Sequence, residues 1–471
     1  MDKVAFLRCN APLIPPHTSD ERTYVTNNPR RAAFHTLARI YKERSYADLL
    51  IDRELSSGQI SGPDRGLYTE LVYGVLRRQG TLDHVIGQFS KTPPAKLERA
   101  VLILLRLGIY QILFLDRVPV SAAVNETVKL AHDLSPRAAG FINAVLRTTD
   151  RQREQISYPD SGRDPVAYLA ARYSQPAWLV QMWIEQLGCD EATALAKVMS
   201  EPAPVTIRTN TLRISRNALQ ERLATEGIET VPAAYAPDAL QVAGHVACAA
   251  TESFRDGFFT IQDEASQLAA LFLSPRPDEN ILDLCAAPGG KTTYCAQLME
   301  NRGRIVAGDL HPRKLRLIEE TAGRLGIACI ETVSLDGTRP AQALGDRTFD
   351  RVLVDAPCSG LGVIRRNPEG KWWKRASDPA RLAEGQRAIL GAAAGMVREN
   401  GVLLYATCST ALAENEDVVE DFLSRHPDFV VENLGTLFPE QADLVTSAGF
   451  FRSWPHRHGM DGFFAARLRR Q

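Results

Sequence analysis

The feature that most constrains the fold is an alternation that begins after Gln262. Short apolar runs at 280–284, 304–308, 351–354 and 401–406 are separated by amphipathic segments. That rhythm predicts a doubly wound, mostly parallel sheet with helices on both faces, an α/β domain over 261–471. In such a sheet the loops leaving the carboxyl ends of the strands share one edge, and ligands bind there.

Residues 29–150 read differently. Phe34, Leu37, Ile40 and Tyr41 fall on one helical face, as do Leu67, Leu71, Val75 and Leu76. The run 97–115 is apolar nearly all round, as the central helix of a bundle should be. Two more helices are expected over 122–131 and 138–146, the first opened by Ser121 after Pro119. The polar stretch 148–165 reads as a linker. Residues 166–260 mix helix (178–187, 191–198) with short strands such as 205–209, a small α+β subdomain. Residues 1–28, with Pro12, Pro15 and Pro16, read as a loose arm. The expected architecture is therefore multidomain: an all-α N-terminal bundle, a small α+β middle subdomain and a C-terminal, Rossmann-like α/β domain.

Charge enters as a question of placement. Lys and Arg number 55 against 56 Asp and Glu, so no global basic excess announces a nucleic-acid partner. A neutral sum can hide a basic face, however, and 365–375 carries five cations against one acid. The longest apolar run, 101–115, holds Arg106 and Gln111 and falls short of the roughly 20 residues of a spanning helix. No apolar secretory leader is visible, and eight cysteines without close pairing fit a reducing compartment. A cytoplasmic chain is expected, and nothing demands more than a monomer. His456 and His458 lack a third ligand nearby and no C-x-x-C occurs, so no metal is expected.

The segment Asn280-Ile-Leu-Asp-Leu-Cys-Ala-Ala-Pro-Gly-Gly-Lys291 reads as strand, tight turn and helix. Gly289 and Gly290 let the backbone approach a ligand, and the following helix offers unpaired N–H groups. Asp309 ends the next strand, where an acid can hold both hydroxyls of a ribose. Asp336 and Asp355 follow at later strand ends. A nicotinamide site would want G-x-G-x-x-G, which is absent. A P-loop triphosphatase fits Gly290-Lys291-Thr292, with 351–355 as its Mg²⁺-binding strand, but Cys285 stands where its first glycine belongs and Pro288 interrupts the loop. The third reading is a nucleoside-bearing methyl donor, held by acids in place of a phosphate nest. A turn that serves only chain reversal is the bland alternative, which the acidic series disfavours.

Asp355-Ala-Pro-Cys-Ser-Gly360 follows one core strand and Thr407-Cys408-Ser409 another, so two thiols are expected at the same edge. A lone cysteine is usually a small buried hydrophobe; two at equivalent strand ends point to chemistry. C5 of a pyrimidine is a poor nucleophile. A thiolate adding to C6 makes C5 enamine-like, able to take a methyl group from a sulfonium donor; loss of the C5 proton and elimination of the thiol restore the ring. Chemistry alone does not choose which thiol attacks. Next to the first thiol, Arg365, Arg366, Lys371, Trp372, Lys374 and Arg375 mix phosphate binders with a stacking surface, as a single-stranded or flipped base would need. The alternative is a loop whose tryptophans pack on the core.

At these residues the chain resembles the RsmB/Nop2/Sun family of RNA 5-methylcytosine methyltransferases. The matching motifs are Asp283-Leu-Cys-Ala-Ala-Pro-Gly-Gly-Lys291, Asp355-Ala-Pro-Cys-Ser-Gly360, Ala406-Thr-Cys-Ser409, Thr260-Ile-Gln-Asp-Glu-Ala-Ser-Gln267, Arg208-Thr-Asn-Thr-Leu212 and Asp461-Gly-Phe-Phe464. Residues 29–147 are similar to NusB, an RNA-binding antitermination factor. The resemblance implies S-adenosylmethionine contacts from Cys285, Ala286, Ala287, Pro288, Gly289, Gly290, Lys291, Asp309, Asp336 and Asp355. It implies that Cys408 attacks C6, that Cys358 assists product release and that Asp355 also holds the target base. Pairing the two parts implies a cytosine of small-subunit (16S) ribosomal RNA as substrate. A non-catalytic RNA-binding factor on a degenerate methyltransferase fold is the rival, and it would have lost a thiol or a glycine that this chain keeps.

Overall fold

The computed structural model describes residues 27–244 and 246–471. Nearly all of the expected N-terminal arm lies outside them. The described residues form two compact units, one of 27–202 with 364–376, the other of 203–363 with 377–471.

The first unit is helical. Asn28 accepts the amide protons of Arg30 and Arg31 and Pro29 takes the first helical position, which starts the helix Pro29–Glu43. Helices Ala47–Ser56, Pro63–Phe89, Arg99–Phe114, Val120–Leu134 and Ala139–Arg151 complete the bundle. Arg99–Phe114 is its buried centre, and its one interior cation, Arg106, is met by a two-pronged pair to Asp83 at 2.8 and 2.7 Å. Ser121 does not open the fifth helix. Helical geometry starts at Val120, preceded by Pro119 without a side-chain cap, so Ser121 already lies inside. Helices Pro165–Arg172, Ala177–Leu187 and Cys189–Met199 belong to this unit too. They are joined to Pro63–Phe89 by Thr81 Oγ1 donating to the Ala171 carbonyl at 2.8 Å and Gly80 N to Ser174 Oγ at 2.7 Å.

The second unit holds two sheets. In the small one, β1 (Val205–Thr209), β2 (Thr230–Pro232), β3 (Ala239–Val242) and β4 (Phe259–Ile261) pair antiparallel in the order β2-β3-β1-β4. In the large one, β5 (Asn280–Asp283), β6 (Arg304–Asp309), β7 (Ile330–Ser334), β8 (Phe349–Asp355) and β9 (Val397–Thr407) are parallel in the order β9-β8-β5-β6-β7. β12 (Phe464–Arg470) runs antiparallel beside β9, flanked by β10 (Phe429–Val431) and paired with β11 (Phe451–Arg452).

Successive residues of the central strands feed opposite cores. Ile281, Leu353 and Leu404 pack with helices Glu264–Leu273 and Gly290–Leu298, whereas Leu282, Val352 and Tyr405 pack with Asp378–Ala394 and Glu416–Arg425. Burial on both faces is why these runs are continuously apolar. The chain proceeds outward from β5 to β7, then returns to β8 on β5's other side, so the strand order reverses between β5 and β8. No helix among the described residues is long and apolar enough to cross a membrane.

Candidate active site

The turn after β5 lies at that reversal. Gly289 has φ 101°, and a Cβ there would stand 3.2 Å from Ile318, so the left-handed turn and the close approach both need glycine. Asp283, which ends β5, is wholly buried and accepts a hydrogen bond from Thr292 Oγ1 at 2.7 Å. Burial, with the charge of Asp355, pushes its carboxyl up to about 7, against the opposing pull of Thr292 and Lys291. Lys291 Nζ bonds Asp355 Oδ2 at 2.7 Å and lies over the Phe463 ring at 5.1 Å. From β1, the buried Arg208 donates to Gln262, to the Gly290 carbonyl at 2.6 Å and to Thr293 Oγ1 at 3.0 Å. The R-x-N-T-L element therefore holds the first turn of the helix Gly290–Leu298. Composition alone did not single out Arg208 as a site residue.

Further along the same edge, Asp309 ends β6 and its Oδ1 accepts the His311 amide at 2.9 Å. The neighbouring Leu310 is 60 % exposed. Asp336, just beyond β7, is exposed, and two hydrogen bonds from Thr338 hold its carboxyl below the usual range. Cys285 lies 3.8 Å from where a Gly337 Cβ would stand, and Ala286 N donates to the Gly308 carbonyl at 2.8 Å. The turn Cys285–Lys291 and the acids Asp309, Asp336 and Asp355 thus occupy adjacent strand ends, as expected from the alternation.

The two thiols meet. Cys358 follows β8, Cys408 follows β9, and their sulfurs are 3.1 Å apart. Cys358 is buried and Cys408 half-buried. The backbone ladder ends at Asp355 and Ala406, after which Gly362 N donates to the Cys408 carbonyl at 2.9 Å. The Gly362 carbonyl in turn accepts from Gly462 N at 3.0 Å, and Asp461 N donates to Asp263 Oδ1 at 3.2 Å. In this way the terminal Asp461-Gly-Phe-Phe464 segment and the Gln262-Asp263 entry brace the thiol loops. Beneath them lies Glu414, a fully buried carboxylate that sequence reading passed over; the repeated Cys-Ser pair at 358–359 and 408–409 is the trace that points to it.

The cation-rich stretch is part of the helical unit. Lys371 is 1 % exposed, with its Nζ on the Arg77 carbonyl at 3.2 Å; burial, with Arg77 and Arg78 nearby, holds its ammonium well below the usual range. Trp372 Nε1 donates to the Leu76 carbonyl at 3.3 Å, and buried Arg365 donates to the Pro202 carbonyl at 3.0 Å. These three side chains are turned inward instead of toward a phosphate or a base. Arg366 and Lys374 are half-buried and Arg375 is exposed.

Three family models match the chain: "16S rRNA methyltransferase RsmB/F" over 270–469, the NusB family over 27–151, and a ferredoxin-like domain of RsmF/B-like methyltransferases over 175–249. A relative from Bacillus subtilis (strain 168), "Probable ribosomal RNA small subunit methyltransferase B", is 38 % identical over 444 residues, 94 % of this chain and 98 % of its own. "Ribosomal RNA small subunit methyltransferase B" of Serratia proteamaculans (strain 568) is 36 % identical, covering 91 % and 98 %. Among solved structures, PH0851 superimposes with TM-score 0.78 at 28 % identity, over 95 % of this chain and 100 % of that one. NSun6 from Pyrococcus horikoshii, solved with SFG, gives 0.56 at 26 % identity, covering 63 % and 98 %. Likeness of this extent, reaching from the helical unit to the paired thiols, means that the chain belongs to the RsmB/F family of 16S rRNA methyltransferases.

Proposed function

We propose that the chain methylates C5 of a cytosine in small-subunit ribosomal RNA, with Cys408 adding to C6 and Cys358 assisting release. The observation that carries this reading is the 3.1 Å approach of two sulfurs at neighbouring strand ends, beside the glycine turn of the next strand. Exocyclic amine methylation has no use for a thiol, whereas C5 methylation needs one to make the carbon nucleophilic.

When bound, S-adenosylmethionine supplies an electrophilic methyl group. Its site would be built from Cys285, Ala286, Ala287, Pro288, Gly289, Gly290 and Lys291 with Asp309, Asp336 and Asp355, Asp309 being placed to accept hydrogen bonds from ribose hydroxyls. The fit rests on donor chemistry, since this edge presents carboxylates to hydroxyls and no phosphate nest. Lys291, which a triphosphatase would aim at phosphates, is paired with Asp355 instead. The relative solved with SFG, a methyl-donor analogue, supports the same assignment.

In this reading the Cys408 thiolate forms the S–C6 bond, and C5 takes the methyl group as its bond to the sulfonium sulfur breaks, leaving a neutral thioether. The C5 proton then passes to water and the S–C6 bond breaks, returning the Cys408 thiolate. Asp355, fixed by Lys291, holds the base. The cation-rich stretch 365–375, with Arg366, Lys374 and the exposed Arg375, would meet the RNA backbone. The chain works in the cytoplasm, where its thiols stay reduced.

Cys358→Ser is expected to accumulate an RNA–protein adduct that survives denaturing electrophoresis, because addition proceeds and release stalls. Cys408→Ser should form neither adduct nor 5-methylcytosine, scored by mass spectrometry of digested RNA. Methylation persisting in Cys408→Ser would overturn the assignment.

A further inference from the structure

We propose that Glu414 is a positioning residue of this reaction, a single buried carboxylate that keeps the two thiol loops in register. The inference rests on reading Cys358 and Cys408 as the reacting groups. Each cysteine is followed directly by a serine, and both serines converge on Glu414. Glu414 Oε1 accepts from Ser359 N at 2.7 Å and from Gln386 Nε2 at 3.0 Å. Oε2 accepts from both serine hydroxyls, which lie 3.0 Å from each other.

The surroundings extend the same tie. Gln386 Nε2 also reaches the carbonyl of Pro357, the residue before Cys358, at 2.9 Å. Asn415 Nδ2 donates to the Ser409 carbonyl at 3.0 Å, and Tyr405 OH donates to the Glu414 carbonyl at 2.6 Å. All four donors to the carboxylate are uncharged. A wholly buried carboxylate is costly without hydrogen bonds, and removing it would leave four buried donors unpaired.

The need for such a tie follows from the strands. β8 and β9 stop pairing at Asp355 and Ala406, so no ladder sets Cys358 against Cys408. Past the ladder the backbones are tied again at Gly362 N and the Cys408 carbonyl, and the Ser359–Glu414–Ser409 bridge is the side-chain tie at the residues next to both sulfurs. Without it, the residue after each thiol would lose its anchor, and a displacement of about 1 Å at a reacting atom can cost on the order of a hundredfold in rate.

The test compares the full chain with Glu414→Ala and Glu414→Gln. Glutamine preserves shape and can still bridge, since the serine hydroxyls can reverse their donor roles. Glu414→Ala is expected to lower kcat about a hundredfold while KM for S-adenosylmethionine stays within about twofold. Glu414→Gln should recover most of that loss. In a Cys358→Ser background, Glu414→Ala should slow adduct formation to the same degree as turnover. An unchanged kcat, or a parallel rise in KM for the methyl donor, would overturn the proposal. If Glu414→Ala does not fold, a cycle of Ser359→Ala and Ser409→Ala replaces it; the double variant should lose no more than the worse single, and additive losses would overturn the shared role. The parent assay separates the two levels. Failure of the parent to make 5-methylcytosine would sink the proposed function, whereas a fully active Glu414→Ala chain would sink this inference alone.

Discussion

Lys291 and Asp355 form an ion pair of 2.7 Å between the first turn of the helix Gly290–Leu298 and the carboxyl end of β8, both side chains largely buried. Removing one partner leaves a buried charge. Lys291→Met is therefore expected to cost about 3–5 kcal/mol of stability in urea unfolding. The double variant Lys291→Met/Asp355→Asn should regain a good part of that stability and none of the methylation. A double variant no more stable than the single would contradict this account.

Asp283 makes stability depend on pH. Burial and Asp355 raise its carboxyl to about 7, while in the unfolded chain it titrates near 3.9. Between those values the folded chain keeps a proton that the unfolded chain has released. The contribution is thus fully present below about pH 4 and is lost as pH rises through 7. Relative to Asp283→Asn, the parent should lose on the order of a few kcal/mol between pH 4.5 and 8. Urea midpoints at both pH values would show it, and a constant difference would refute it.

Two glycines should answer oppositely to alanine. A Cβ on Gly362 would overlap the Gly462 carbonyl, which cannot retreat without moving the thiol loops. Gly362→Ala is expected to cost about 2–3 kcal/mol and most of the activity. Gly385, inside the helix Asp378–Ala394, has nothing within 4 Å of the added atom. Gly385→Ala should stabilise by about 0.5–1 kcal/mol with activity intact. Thermal midpoints and initial rates test both.

Arg208 reaches three acceptors with two nitrogens of its planar fork, a spacing that the single nitrogen of lysine does not reproduce. Arg208→Lys should weaken S-adenosylmethionine binding about tenfold, through the loosened Gly290 carbonyl, as calorimetry would report. Affinity equal to that of the parent would show that the turn holds its shape without this anchor.

Much of the site was legible in the sequence because parallel strands deliver every outgoing loop to one edge. That rule alone brings Cys285, Asp309, Asp355, Cys358 and Cys408 together. It says nothing of where a long side chain turns. Lys371 and Trp372 read as an RNA surface, yet their nitrogens satisfy carbonyls of the helix Pro63–Phe89. Glu414 was hidden for a related reason. Beside Glu416 and Asp417 it looks like one more acid at a helix start, and only closure of two distant loops sets it apart.

The helical unit includes 364–376, a stretch encoded far from the rest of it. Glu369 accepts the Ala47 amide at 2.9 Å, and Trp373 lies against the bundle's core with its ring 5.7 Å from that of Tyr46. A gene trimmed after residue 202 would therefore leave the Ala47 amide and the Leu76 and Arg77 carbonyls without these partners and uncover the core surface against which Trp373 packs. Swapping this unit between homologues means exchanging two separate coding stretches together, so shuffling by a single crossover is closed to it.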